Sequence, residues 1–467
     1  MTGNCADFRF SRARSCTKLL PNDGNSDSQL LVTAFNSTKA FGLVSLIALV
    51  VANMIGAGVF TTSGFALADL HSPSRVLMAW IVGGGLAMCG AIAYGALARE
   101  LTESGGEYLF LSRLVHPAAG FLAGWVSLLA GFTSAIAFAA VTFEIYALPG
   151  ASRPDWLPEG LLATGAIVLS ALLHGWHKRS GIIGQNAIVM IKVVLLSGFV
   201  VWAFSRYGDG PQEWRISELA NTHPFEWTVF AQSLMWISLS YAGFNAAVYV
   251  AGEATMAKHL VPRALWIGTG LVTLLYLALN SVFVYAPELS QVVGQADVAV
   301  IAAEAIGGEL LVTMVRAIIA LALLTSVSSM IVAGPRVYAC MAEDGVFPQV
   351  MRLRDGVPKG AIVIQALLAV VVVWISSLQD LLSYLGFTLS LSSAGAVACL
   401  FVLHRQSDRE VSLVARIAAI VYVMMTVGIA MLAASRSWWP SIAGGLTVAS
   451  GMLAYRWASA KRLSSLA

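Results

Sequence analysis

The chain has 467 residues, of which 58% are hydrophobic and only 11% charged. Soluble domains carry about a quarter charged residues, so most of this surface does not face water. The net charge of +3 is too small to suggest a nucleic-acid partner. The five cysteines, Cys5, Cys16, Cys89, Cys340 and Cys399, include no CxxC or Cys/His spacing. Neither a disulfide framework, nor a metal site, nor a cofactor is expected.

Residues 1–39 are polar and contain Arg9, Arg12 and Arg14 with no adequate apolar run behind them. They read as a disordered cytoplasmic tail and not as a cleaved signal. From residue 40 to 467 the chain reads as one transmembrane domain with short loops. A bilayer-spanning helix needs roughly 20 apolar residues. Candidate spans fall at 41–67, 76–98, 117–148, 160–176, 182–204, 226–250, 264–286, 310–334, 361–377, 381–403, 411–434 and 438–456. The fold class is therefore all-α, because lipid-exposed backbone must satisfy its own hydrogen bonds. With the N-terminus placed in the cytoplasm, only Arg75, Arg153, Arg206, Arg215 and Arg436 of the 28 Lys and Arg fall on the outer side, and Lys192 and Arg316 within spans. That bias puts both termini inside and implies a multi-pass protein of the cell, or inner, membrane.

Two spans are interrupted. In the first, Asn53-Met-Ile-Gly56-Ala-Gly58-Val-Phe60 places two glycines mid-membrane; in the sixth, Ser240-Tyr-Ala-Gly243-Phe-Asn245 places a small, polar patch at similar depth. Close helix packing through small residues is one reading of either patch. As a pair in corresponding halves, they point to the central site of a transporter built from inverted repeats. An unwound helix exposes amide N–H groups at the positive start of its second half, which hold a carboxylate. It also exposes carbonyls at the end of its first half, which accept from an ammonium. A site with both functions and no charged side chain suits an amino acid. The residues expected there are Met54, Ile55, Gly56, Ala57 and Gly58 from the first span, and Trp236, Leu239, Ser240, Tyr241, Ala242 and Gly243 from the sixth.

Ile55-Gly-Ala-Gly-Val-Phe60 resembles the first-helix motif of the amino acid–polyamine–organocation superfamily. Tyr94-Gly-Ala-Leu-Ala-Arg-Glu-Leu-Thr-Glu-Ser-Gly-Gly-Glu-Tyr108 resembles its signature loop after the second helix, which is the most specific match. Gly334-Pro-Arg-Val-Tyr-Ala-Cys-Met-Ala-Glu-Asp-Gly345 resembles its loop after the eighth helix, and the Tyr241-to-Glu253 stretch its sixth helix and exit. The resemblance implies a LeuT-type fold of about twelve transmembrane helices. The inverted five-helix repeats would cover about 41–204 and 226–403, with two further helices, and helices 1 and 6 would be broken.

Lys192 lies between Ile191 and Val193 in the fifth span, too deep for easy snorkelling. Burying an ammonium costs several kcal/mol unless it finds partners or gives up its proton. It is either a structural lysine donating to helix-end carbonyls or a proton-coupling group standing where a sodium ion would sit. Similar superfamily members place a lysine here, near hydroxyls of the eighth helix, for which Ser326, Ser328 and Ser329 are the candidates. Arg316 is expected to snorkel to the interface. Arg99, Glu100, Glu103 and Glu107 are expected to pack and gate the inner side. Glu253 reads as a cytoplasmic ion pair or helix-end contact. His174 and His177, beside Lys178 and Arg179, read as a solvated basic loop. The superfamily often has an aromatic gate where Leu239 stands here; Trp236, one turn earlier, is the candidate replacement.

The leading function is proton-coupled uptake of a neutral amino acid. Exchange of amino acids or polyamines is the alternative, although a polyamine would want carboxylates that the spans largely lack. An intramembrane enzyme would need HExxH or paired aspartates, and primary transport would need GxxxxGK[ST]; the sequence has none of these. A receptor or scaffold would have no reason to break two helices at one depth. Apart from the bilayer, the substrate and protons, no obligate protein partner is implied.

Overall fold

The computed structural model describes residues 41–148, 153–176, 182–206, 224–352, 357–406 and 411–464. The expected tail and His177, Lys178 and Arg179 lie outside these residues. Among the described residues every regular element is helical, and the isolated bridge pairs Phe41 with Ala254.

In chain order the helices are α1 (Leu43–Met54), α2 (Gly58–Leu70), α3 (Pro73–Glu100), α4 (Gly106–Leu114), α5 (Pro117–Val126), α6 (Ala135–Ala147), α7 (Leu161–Trp176) and α8 (Ile182–Ser205). There follow α9 (Trp227–Ser240), α10 (Ala257–Tyr285), α11 (Leu289–Val292), α12 (Val298–Glu343), α13 (Lys359–Ile375), α14 (Leu378–Gln406), α15 (Leu413–Arg436) and α16 (Trp439–Ser464). Each apolar span read from the sequence falls on a helix or a helix pair. Among the described residues seven units, Leu43–Leu70, Pro73–Glu100, Pro117–Ala147, Ala257–Tyr285, Val298–Glu343, Leu378–Arg405 and Leu413–Arg436, are long and apolar enough to cross a membrane, and shorter apolar helices accompany them. The short α4 and α11 and the first turns of α12 occupy stretches that carry no span signal. Gly308, at φ 69°, kinks α12 between its short first arm and its long apolar body.

Local chemistry fixes several boundaries. Ser72 Oγ accepts from Arg75 N at 3.4 Å, with Pro73 pre-set at the first helical position of α3. His116 and Pro117 start α5 in the same way. A π-helical stretch, Ser127–Ser134, joins α5 to α6. Glu144 of α6 is buried and accepts from Arg153 Nη2 at 2.6 Å and from the amides of Gly160 and Ala163, both at 2.9 Å. Its carboxylate thus sits at the positive end of α7. Removing one member of such a buried pair costs about 3–5 kcal/mol. Arg316 also has a partner: its Nη2 stands 3.8 Å from the Asp297 carboxylate at the start of α12.

Candidate functional site

Both interrupted spans are broken in the structure. The first gives way at Ile55 to Ala57, between α1 and α2; the sixth turns through Tyr241 to Asn245 into a 3-10 segment, Ala246–Glu253. The two breaks pack against each other. A β-carbon on Gly58 would stand 2.4 Å from Ser240 Oγ and 3.0 Å from Ser240 Cα. Gly243, at φ +99°, faces the Asn53 carbonyl, which a β-carbon would meet at 2.7 Å. Gly56 differs, because a β-carbon there would meet only Met54 O, at 3.9 Å. Gly58 and Gly243 therefore serve close backbone approach, while Gly56 opens onto space.

That space is a cavity of about 780 Å³. Met54, Gly56, Ala57, Gly58, Leu239, Ser240, Tyr241, Ala242 and Gly243 all line it. Two expected residues do not. Ile55 is fully buried with its carbonyl turned to Lys192. Trp236 is buried elsewhere, its Nε1 donating to Ser383 Oγ at 2.9 Å and its ring edge-on to Phe65. No aromatic lid replaces Leu239 from that position. Ser390 and Ser393 of α14 and Tyr422 and Thr426 of α15 complete the wall, and no sequence feature had marked them.

The ends of the broken helices are differently occupied. Ala57, which precedes α2, provides no side-chain cap, so the positive end of α2 is left to the cavity. The carbonyls closing α1 are engaged. Tyr276 Oη of α10 bonds to Met54 O and lies 3.1 Å from Ser240 O, bridging both breaks; Lys192 Nζ donates to Ile55 O. Lys192 is buried within the bundle, 7% exposed. Two of the three candidate serines are engaged elsewhere. Ser326 Oγ donates to its own helix at Ala322 O, 3.0 Å away, and Ser328 Oγ pairs with His174 Nε2 at 2.6 Å. His174 thus belongs to the last turn of α7 and is half-buried, not part of a solvated loop.

One end of the cavity is closed by aromatic packing. Trp80, Tyr241 and Tyr276 meet edge-on or tilted at 5.2 to 5.6 Å, and Tyr241 Oη donates to Trp80 O at 3.0 Å. At the other end Glu103, Arg113, Glu253, Arg336 and Asp344 are exposed around a mouth. Glu107 is the exception among these charges. It is buried, and accepts from Tyr94 Oη at 2.9 Å, Tyr249 Oη at 2.6 Å and Asn245 Nδ2. The signature loop is thereby tied to the segment following the second break. Tyr108 ties the same loop to α12 by donating to Asp344 at 2.6 Å. Burial, followed by that carboxylate, raises the affinity of the Tyr108 phenol for its proton, so the bond persists at neutral pH.

A profile of the amino acid permease family matches residues 41–455. Large neutral amino acids transporter small subunit 2 of Homo sapiens is 26% identical over 359 residues, 75% of this chain and 66% of that protein. Asc-type amino acid transporter 1 of Mus musculus is 28% identical over 275 residues, 56% of this chain and 50% of that protein. b(0,+)-type amino acid transporter 1 of Homo sapiens is 27% identical over 252 residues, 52% and 50% of the two. The matches thus span about half to two thirds of the length of these relatives. The profile covers nearly the whole chain, both broken helices included: the chain belongs to the amino acid permeases of the amino acid–polyamine–organocation superfamily.

Proposed function

We propose that the chain is a secondary transporter of neutral amino acids that works by alternating access on a LeuT-type frame of about twelve transmembrane helices. The observation that carries this reading is the pair of breaks facing one cavity, with the uncapped start of α2 turned toward it. The charged side chains of the cavity gather at its mouth, except for buried Glu107, whose carboxylate is taken up by Tyr94, Tyr249 and Asn245 at the end of the second break. A carboxylate docks on the amides that start α2, and the ammonium on carbonyls closing α9. The uncharged wall around Leu239 receives the side chain. The positive-inside bias turns the mouth toward the cytoplasm, so the conformation is inward-facing.

Lys192 supplies the coupling in this reading. Protonated, it holds the Ile55 carbonyl and stabilises one position of the first break. Deprotonated, it releases that hold, so proton release accompanies the swing of α1. The test is uptake of a radiolabelled amino acid panel into liposomes holding the purified protein, with and without a pH gradient. Accumulation of a neutral amino acid driven by an inward proton gradient is expected. Uptake that ignores the gradient and requires preloaded amino acid would replace net uptake by exchange, and the absence of amino acid uptake would overturn the reading.

A further inference from the structure

A second cavity, of about 480 Å³, lies between α5, α14 and α16. It is separate from the transport path but shares a wall with it. Along α14, Leu385, Gly386 and Leu389 face the central cavity while Thr388, Leu391 and Gly395 face the second, and Ser392 lines both. From Phe387 to Gly395 the cleft follows α14 for about 12 Å at the helical rise.

Its lining has three features that together specify a ligand. First, the residues around it include no charged side chain, so neither an ion nor a charged headgroup would be matched inside. Second, two hydroxyls on this wall, Thr388 Oγ1 and Ser441 Oγ, are buried without a hydrogen-bond partner. Thr388 is only 5% exposed. A serine or threonine in a membrane helix usually bonds back to its own preceding turn, as Thr142 does to Phe138 and Thr273 does to Thr269. Thr388 forgoes that bond, and Ser441, in the first turn of α16, has no preceding turn to bond to; an unpaired buried hydroxyl in a mainly apolar pocket is costly. Third, Gly395 and Gly445 are exposed at the edge of the cleft, and a β-carbon on either would meet nothing within 4 Å. The cleft therefore opens sideways between helices, toward the bilayer.

We propose that this cleft binds an uncharged membrane amphiphile bearing a single hydroxyl, a sterol or a long-chain alcohol. The hydroxyl meets Thr388 and Ser441 and the apolar body fills the space between α5 and α16. The size lies within the usual range of small-molecule pockets, roughly 300–1,000 Å³. A phospholipid is disfavoured because its charged headgroup would have to stay outside, leaving the two hydroxyls only an acyl chain. Through Ser392 and α14, the bound amphiphile would press on the helix that walls the transport cavity.

The full chain in sterol-free phosphatidylcholine nanodiscs tests this with two photoreactive probes, a diazirine cholesterol and a phosphatidylcholine carrying the diazirine on an acyl chain. Crosslinked peptides are mapped by mass spectrometry. The cholesterol probe should label α14 and α16 saturably, and unlabelled cholesterol should compete. Thr388→Val keeps the shape and removes the hydroxyl, so labelling should weaken by about fivefold, the worth of one neutral hydrogen bond. Gly445→Leu, which extends into open space and should fold normally, should block entry and abolish the labelling. Equal labelling of the cleft by the phospholipid probe, or unsaturable labelling spread over the lipid-facing helices and unchanged by either variant, would overturn the proposal.

Discussion

Gly56 and Gly58 lie two residues apart in one motif, yet the structure gives them opposite tasks, and alanine at each separates these. A methyl group at Gly58 would sit 3.0 Å from Ser240 Cα. Backbone cannot rotate out of the way, so α2 must shift relative to α9, and overpacking of this kind costs about 1–3 kcal/mol. At Gly56 the nearest atom would be 3.9 Å away, and Gly56 does not belong to the positive-φ glycines. Alanine there adds no strain and trims the freedom of the unfolded chain, a gain of about 0.4–1 kcal/mol. The same methyl group, however, stands where the substrate carboxylate must approach the first amides of α2. Losing one hydrogen bond to a charged group costs about 1.5–3 kcal/mol, or roughly tenfold to 150-fold in affinity. Equilibrium binding of a neutral amino acid and thermal melting are the two measurements. Gly56→Ala should melt at or slightly above the wild-type temperature and bind at least tenfold more weakly, whereas Gly58→Ala should melt earlier. Unchanged affinity in Gly56→Ala would refute the placement of the carboxylate.

Leu239→Phe narrows the wall that takes the side chain, so competition assays should show large neutral amino acids losing ground to alanine. Arginine or putrescine emerging as the best competitor would defeat the neutral site. Lys192→Ala should abolish accumulation driven by a pH gradient while leaving binding measurable. Lys192→Arg should be equally impaired, since guanidinium does not release its proton. Wild-type accumulation that needs sodium and ignores pH would sink the coupling role.

The sequence made the spans and breaks legible because both are written in local composition. Twenty apolar residues can only be helical in lipid, and glycine pairs inside such a run mark where the helix yields. The place of Lys192 inside an apolar helix was legible for the same reason. What faces what across the bundle was not. Ser326, Ser328 and Ser329 are one hydroxyl-rich stretch in sequence, but successive helical positions point about 100° apart. Ser326 therefore turns to its own backbone and Ser328 to His174. Gly58 looked like an opening for ligand until Ser240, 182 positions on, came to lie against it. Glu107 was placed in a gating loop, but its burial depends on Tyr94, Asn245 and Tyr249 closing around it. Tyr94 comes from α3 and the other two from the end of the second break and the segment after it, and no local pattern announces the meeting.

Tyr276 offered no sequence signal at all, being one aromatic residue in an apolar span, yet it is the group that joins the two breaks. Its hydroxyl has a single proton and two carbonyls within reach, Met54 O and Ser240 O. Met54 O has a second donor in Gly56 N at 2.8 Å, so removing the hydroxyl chiefly deprives Ser240 O of a donor. Tyr276→Phe conserves shape and should cost about 1–3 kcal/mol in whichever conformation contains the bond. If alternating access separates the breaks, the bond belongs to the mouth-open conformation alone. The variant should then lower the population of that conformation relative to its alternatives by roughly fivefold or more. Spin-label distances across the mouth, between the outer surface of α4 and the exposed end of α12, report that population directly. Lys192 grips the adjacent carbonyl of the same break, so the effects of Tyr276→Phe and Lys192→Ala should be non-additive by at least about 0.5 kcal/mol. A bond kept through the whole cycle would bias neither state. Populations that stay the same in Tyr276→Phe, with melting lowered, would show that the breaks travel as one rigid unit and that Tyr276 only fastens them together.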